Sequence, residues 1–214
     1  MIIDPKKLTS KEAYSLLVSA VVPRPIAFVT SMNAHNVVNA APYSFFNAIA
    51  SSPPLIMISA GRKKGIMKHT TENILRSKEF VVNVVTEDVL HSINISSADF
   101  PPEISEIEQT NLTLVPSISI STPRIAESPV NCECKLYQHF EVGNEPVDLI
   151  IGEVVQFHVK DELYSIGTIN QYALKPIARM GGNYYAMIEN LFEMERYQFN
   201  RNKPGGDKNS KAAR

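Results

Sequence analysis

There is no tryptophan among the 214 residues, and there are only two cysteines, Cys132 and Cys134. Two thiols one residue apart, with no second pair, supply neither the disulfide framework of a secreted domain nor a zinc site; they read as buried core thiols. No apolar run reaches the roughly 18 residues of a membrane-spanning helix. The start of the chain, Met1-Ile2-Ile3-Asp4-Pro5, lacks the basic-then-apolar plan of a signal peptide. These absences predict a protein of the cytoplasm with no membrane segment. A net charge of −1 gives no global field to recruit nucleic acid or an anionic bilayer, so any anion site must come from local clustering. No Gly-x-Gly-x-x-Gly follows a strand and no Gly-x-x-x-x-Gly-Lys-Ser/Thr occurs, so neither a Rossmann nor a P-loop nucleotide site is signalled. His35, His69, His91 and His158 show no metal-ligand spacing, and no metal is expected.

What is present suffices for a sizeable core: 44% of the residues are hydrophobic and 20% charged. Length favours one domain over residues 1–200. Pro204, Gly205, Gly206 and several lysines predict a disordered tail over 201–214. Thr9-Ser10-Lys11-Glu12 is a capping box ahead of a short helix. Ile26 to Ser31 reads as a strand, followed by a turn in which Asn33 or Asn36 takes the left-handed conformation. Leu55 to Ser59 and Phe80 to Val85 read as strands, Gly61 to Gly65 as a loop and Ile66 to Arg76 as a helix. Thr86-Glu87-Asp88 opens another helix with an N-cap and an acidic first turn. Pro101, Pro102, Pro116, Pro123 and Pro129 break up the stretch from Ala98 to Pro129, with helical character only near Ile104–Gln109 and extended character near Leu112–Val115. So long an excursion is expected to be a flap over the barrel or over a partner subunit.

The clearest strand pair follows. Val130, Cys132, Cys134, Leu136, Phe140 and Val142 alternate with Asn131, Glu133, Lys135, Tyr137, His139 and Glu141, which predicts one apolar and one polar face. Gly143-Asn144-Glu145-Pro146 turns the chain into a second long strand, Val147 to Val159, with Gly152 at a bulge or close approach. Long antiparallel hairpins suit a barrel.

Two stretches carry candidate chemistry. Arg24-Pro25-Ile26-Ala27-Phe28-Val29-Thr30-Ser31 is an apolar strand ending in two hydroxyls. After a turn comes Asn39-Ala40-Ala41-Pro42-Tyr43-Ser44-Phe45-Phe46, with small side chains and no donor at Pro42. It lets a flat ligand lie against the main chain, with Ser44 fixing its edge. Arg62, Lys63, Lys64, Lys68 and His69 then cluster basic groups within eight residues. With Lys68 and Thr70 at a helix start, the cluster favours a phosphate.

These motifs resemble the flavin reductase-like family of FMN-binding split-barrel proteins. That family carries an R-P-I-A-strand-T/S block and then N-x-A-P-[YF]-S-F-F, in the order found here. Its K-D-T-x-x-N stretch is matched by Lys68, Thr70 and Asn73, with His69 in place of the aspartate, which leaves the role of residue 69 open. Its late R-x-G-G-x-x-Y-A is matched by Arg179, Gly181, Gly182, Tyr185 and Ala186. The resemblance runs from about Tyr14 to Ala186. It implies a mainly β fold, an FMN-binding split β-barrel of Greek-key antiparallel strands with peripheral helices. It also implies non-covalent FMN, NAD(P)H as electron donor, and a homodimer with each flavin near the interface. The implied function is NAD(P)H-dependent flavin reduction, with an FMN-binding electron carrier reduced by a protein partner as the alternative. A binding module without redox activity is the third reading. The expected FMN site takes Thr30 and Ser31, then Asn39, Ala40, Ala41, Pro42, Tyr43, Ser44 and Phe46. Ser59, Arg62, Lys68, Thr70 and Arg179 complete it. His139 is placed near the nicotinamide by the same resemblance. No catalytic acid or base stands out, because hydride chemistry belongs to the flavin ring.

Overall fold

The computed structural model describes residues 1–197 and residue 199; the tail expected over 201–214 lies outside them. The capping box closes as the sequence implies. Thr9 Oγ1 accepts from the Glu12 N–H, Glu12 Oε2 accepts from the Thr9 N–H, and helix α1 runs Ser10–Ala20. Seven strands then form one antiparallel sheet: β1 (Ala27–Met32), β2 (Val38–Tyr43), β3 (Phe46–Ser51), β4 (Pro54–Gly61), β5 (Glu79–Val84), β6 (Val130–Val142) and β7 (Val147–Val159). Their spatial order is β2-β1-β5-β6-β7-β4-β3. The two edge strands, β2 and β3, are consecutive in the chain, joined through Ser44 and Phe45, and the Ser59 N–H of β4 donates to the Phe45 carbonyl. The sheet therefore curls until its edges meet at that link. The result is a mainly β split barrel with peripheral helices.

Helix α2 (His69–Ser77) sends Ile74 into the barrel interior, among Val29, Ile58, Phe80, Val82 and Ile150. The outer face of β1 and β2 is covered in turn. Phe28 and Ala40 pack against Val89 and Ile93 of helix α3 (Glu87–Ser96), and against Ile107 and Ile125 of the Ala98–Pro129 excursion. Strand β1 is thus buried on both faces, which is why Ile26 to Ser31 is apolar almost throughout. The excursion is a flap over the outside of the barrel, with a single 3₁₀ turn at Glu106–Gln109 and a short pairing of Leu114–Val115 with Arg124–Ile125.

Two local expectations change. Helix α2 begins at His69, not Ile66. Lys63 and Ile66 pair across a tight turn whose central residues, Lys64 (φ 52°) and Gly65 (φ 79°), are both left-handed, and this delays the helix by a turn. The polar face of β6 is not a solvent face, since Asn131 and Glu133 are buried. Glu133 accepts the Ile118 and Ser119 N–H groups of the excursion and meets His158. The register shift at Ile151/Gly152 then reverses the alternation, so His139 pairs with buried Ile150 on the interior face and Phe140 turns outward. Cys132 and Cys134 are free thiols against the interior, and burial pushes the Cys132 thiol up to about 12.

Gly152 sits at that shift and also at a close approach. A Cβ there would stand 2.4 Å from Phe80 Cζ and 3.2 Å from Cys134 Cβ. The Phe80 ring is enclosed and cannot swing away. Gly152→Ala is expected to destabilise the protein by about 1–3 kcal/mol, the range for overpacking a core. Urea denaturation checks this, and an unchanged midpoint would mean the ring has room.

Candidate functional site

Strand β2 is an edge strand, so half of its backbone groups have no neighbouring strand. Two residues of the flap supply the partners: Ser105 Oγ donates to the Val38 carbonyl, and Glu106 Oε2 accepts the Ala40 N–H at 2.8 Å. Pro42 shares the parity of Val38 and Ala40, so its missing N–H falls at the free edge and costs no ladder bond. On the intervening residues, Asn39 and Ala41 stand opposite Ser31 and Val29 and face the α2 side of the sheet, with Tyr43 beside them.

There a cavity of about 400 Å³ opens. Asn39, Ala41, Pro42 and Tyr43 form one wall, the Lys63–Ile66 turn and the start of α2 another, and the end of α3 with the flap closes the third. Lys68 is the N-cap of α2 and no side chain caps the helix, so its first-turn N–H groups are left for a ligand. Thr70 is buried at N2. With the Asn39 amide oriented to satisfy both its ends, Asn39 accepts from Thr70 Oγ1 at 2.9 Å and donates to Glu106 Oε1 at 3.2 Å. Ser96 Oγ, on the same cavity, is buried with no protein partner among the described residues. Asp99 bridges Lys63 and Lys68, and the two ammonium groups hold its carboxyl down to about 2. All three side chains are substantially exposed, so these pairs are weak. Burial pushes the Tyr43 phenol up to about 12, leaving it a neutral hydrogen-bonding group at ordinary pH.

A second cavity of about 520 Å³ adjoins the first through Pro42 and Ser97. Ser44 and Arg179 lie on it, with Tyr14, Ile93 and Tyr185 among its walls. Arg24 braces this corner from behind, donating to the Val18, Val21 and Met180 carbonyls and contacting Ser44 Oγ at 3.5 Å.

Asn39, Ala41, Pro42, Tyr43, Lys68 and Thr70 thus share the first cavity, while Ser44 and Arg179 belong to the second. The remaining expected residues lie elsewhere. Thr30 faces the flap and donates to the Pro123 carbonyl, and Ser31 Oγ accepts from Asn73 of α2. The Ala40 methyl packs in the outer core, Phe46 leans on the interior cluster, and Ser59 lines neither cavity. Arg62 is engaged away from both, forming a two-pronged pair with fully buried Asp148 and a third contact to Glu141. His139 joins that cluster, 2.9 Å from Asp148, and lines neither cavity. Glu106, Ser96 and Asp99 were not legible: Glu106 meets Ala40 across 66 residues of sequence, and no motif surrounds it.

The fold is thus a split barrel with a cavity between an edge strand and a helix N-terminus. Residues 19–173 match the flavin reductase like domain, and the chain belongs to that flavin-binding family. It is 44% identical over 208 residues to an uncharacterised protein of Halalkalibacterium halodurans, covering 95% of this chain and all of the relative. Among solved structures, it is similar to nitrilotriacetate monooxygenase component B from Bacillus cereus, at 42% identity and a TM-score of 0.88, covering 91% of this chain and 98% of that one. The 2-nitrobenzoate 2-nitroreductase of Pseudomonas fluorescens shares 33% identity at a TM-score of 0.86, covering 93% and 98%. No helix among the described residues is long and apolar enough to cross a membrane.

Burial pushes the Glu106 carboxyl above its ordinary value near 4.5, and the Ala40 N–H offsets this only in part. The folded state therefore favours the protonated form. The resulting stabilisation is full below the ordinary value and is lost as pH rises through the raised one. Glu106→Gln keeps an acceptor for Ala40 and removes the charge. Its urea midpoint relative to the parent is expected to climb as pH is raised above 4.5, whereas a difference that stays flat with pH would show that Glu106 titrates normally.

Proposed function

We propose that this chain is an FMN-binding oxidoreductase, a flavin reductase that takes electrons from NAD(P)H. The observation that carries the reading is the first cavity, where lysines and an uncapped helix N-terminus face the small-residue edge strand. Lys68 with the α2 N–H groups fits a phosphate, and Thr70 supplies a hydroxyl beside it. Asn39, Ala41, Pro42 and Tyr43 offer a flat wall for the ring. The orphaned Ser96 hydroxyl has the character of a group awaiting a polar ligand atom. When bound, FMN supplies the hydride and electron chemistry; the protein binds it, orients it and shapes access. Lys63 joins Lys68 in the phosphate role, in place of Arg62, whose guanidinium is already paired.

FMN is expected to bind more tightly than riboflavin by calorimetry. Lys68→Ala should weaken FMN by about 1–3 kcal/mol, the range for a hydrogen bond to a charged group, while riboflavin affinity hardly changes. Equal affinities for the two flavins would remove the phosphate site. Anaerobic stopped-flow mixing with NADH and NADPH tests the donor. Bound flavin that neither nucleotide bleaches would leave an electron carrier served by a protein partner.

A homodimer is part of the proposal. Tyr14 and Phe45 pack 6.3 Å apart beside the second cavity, yet both rings are exposed, as are Leu17 and Ile49. Edge strand β3 is exposed along nearly its whole length. Exposed apolar side chains and an open edge strand beside a ligand site suit coverage by a second copy. Sedimentation across a dilution series, with and without FMN, is expected to show a dimer. A monomer that keeps stoichiometric FMN would defeat the shared site.

A further inference from the structure

Among the described residues, Arg179 is the one cation on the second cavity, and no acidic side chain lines it. The short strand Ile177–Arg179 presents it from a small sheet with Arg24–Pro25 and Tyr185–Met187. The guanidinium is held in place without being neutralised. One Nη2 bond goes to the Gly182 carbonyl at 2.6 Å, and the group stacks 4.4 Å from the centre of the Tyr185 ring. No carboxylate pairs with it among the described residues. A guanidinium has five N–H donors, so most of its capacity remains, in the planar fork that suits a carboxylate. The rest of the lining is mixed. Ile26, Ile93 and the Tyr14 ring give apolar surface, while Asn94, Asn183 and Ser97 supply neutral polar groups. The lining is more polar than apolar, and the partly exposed guanidinium is held in place with donors free to meet an anion.

We propose that the second cavity is a binding site for a small aromatic carboxylate, its carboxylate on Arg179 and its ring against the Tyr14 and Ile93 side. The contact with the first cavity at Pro42 and Ser97 places such a ligand beside the flavin. That adjacency rests on the function proposed above; the binding of the carboxylate does not. The site assigns Arg179 to the reaction partner of the flavin and not to the flavin phosphate, which has its own lysines.

The test is calorimetric titration of the protein, with and without FMN, using benzoate, benzamide and inorganic phosphate as probes. Benzoate is expected to bind more tightly than either of the others by about tenfold or more, as expected for a two-pronged charge-assisted contact plus ring burial. Arg179→Met is expected to abolish the preference for benzoate over benzamide. Arg179→Lys, which keeps the charge and loses the fork, should retain only part of it. Circular dichroism confirms that both variants fold, and the lysine variant keeps the test informative should the methionine variant fail to. Equal binding of benzoate and benzamide, or no binding of either, would overturn the anion site. Phosphate binding as well as benzoate would overturn the role of the ring. Variants that bind benzoate like the parent would place the site away from Arg179. A parent protein that binds benzoate but no FMN would leave this site standing while the flavin reading falls.

Discussion

Strand β2 ends the sheet, and its outward groups at Val38 and Ala40 meet no further strand. Ser105 and Glu106 take that place with two side chains, and the geometry of the first cavity depends on it. If those contacts are released, the part of the flap around Ser105 and Glu106 loses its tie to the edge strand, beside the Asp99–Phe100 wall of the cavity. Asn39 loses one of its two partners, so the group that accepts from Thr70 is less firmly oriented. A buried carboxylate is a costly way to cap an edge. The cost is moderated because its partners are a backbone N–H and an amide, and because the group is readily neutralised by a proton.

The same device recurs wherever the flap touches the barrel. Asn83 of β5 donates to the Phe28 carbonyl and accepts from the Ile125 N–H and the Asn131 amide, tying three segments at one buried point. Glu79 accepts the Ser121 and Thr122 N–H groups, and Glu133 those of Ile118 and Ser119. A proline-broken segment has few ladder bonds of its own, so its backbone donors must be satisfied by side chains from the sheet. These contacts fix its position as much as Ile107 and Ile125 fix its burial.

Charge is distributed in two different ways around the start of α2. Arg62 is spent on Asp148 and Glu141, a well-paired cluster that anchors the end of β4 where the Lys63–Ile66 turn departs. The next lysines, Lys63 and Lys68, hold only exposed Asp99. One residue of separation thus divides a structural cation from cations free to exchange partners. In a chain of net charge −1, this local contrast leaves an excess of positive charge at the start of α2.

Local chemistry was enough to place the first capping box, the apolar strand at Ile26 to Ser31, a left-handed turn residue at one of Asn33 and Asn36, and the bulge at Gly152, because each follows from a residue's own backbone preference or from periodicity over a few neighbours. The sequence motif also carried the family, since four short segments in order are informative without any geometry. Distance decided the rest. Arg62 and Lys63 carry the same charge, and only the pairing of β4 with β7 brings Asp148 beside Arg62. His139 lay on the polar side of a two-residue repeat until the shift at Gly152 turned it inward. Glu106 looked like a loop acid, yet it caps an edge strand 66 residues away. Sequence periodicity records which side chains share a face, but which strand, carboxylate or helix end meets that face is set by contacts between segments remote in the chain, and only tertiary structure specifies those.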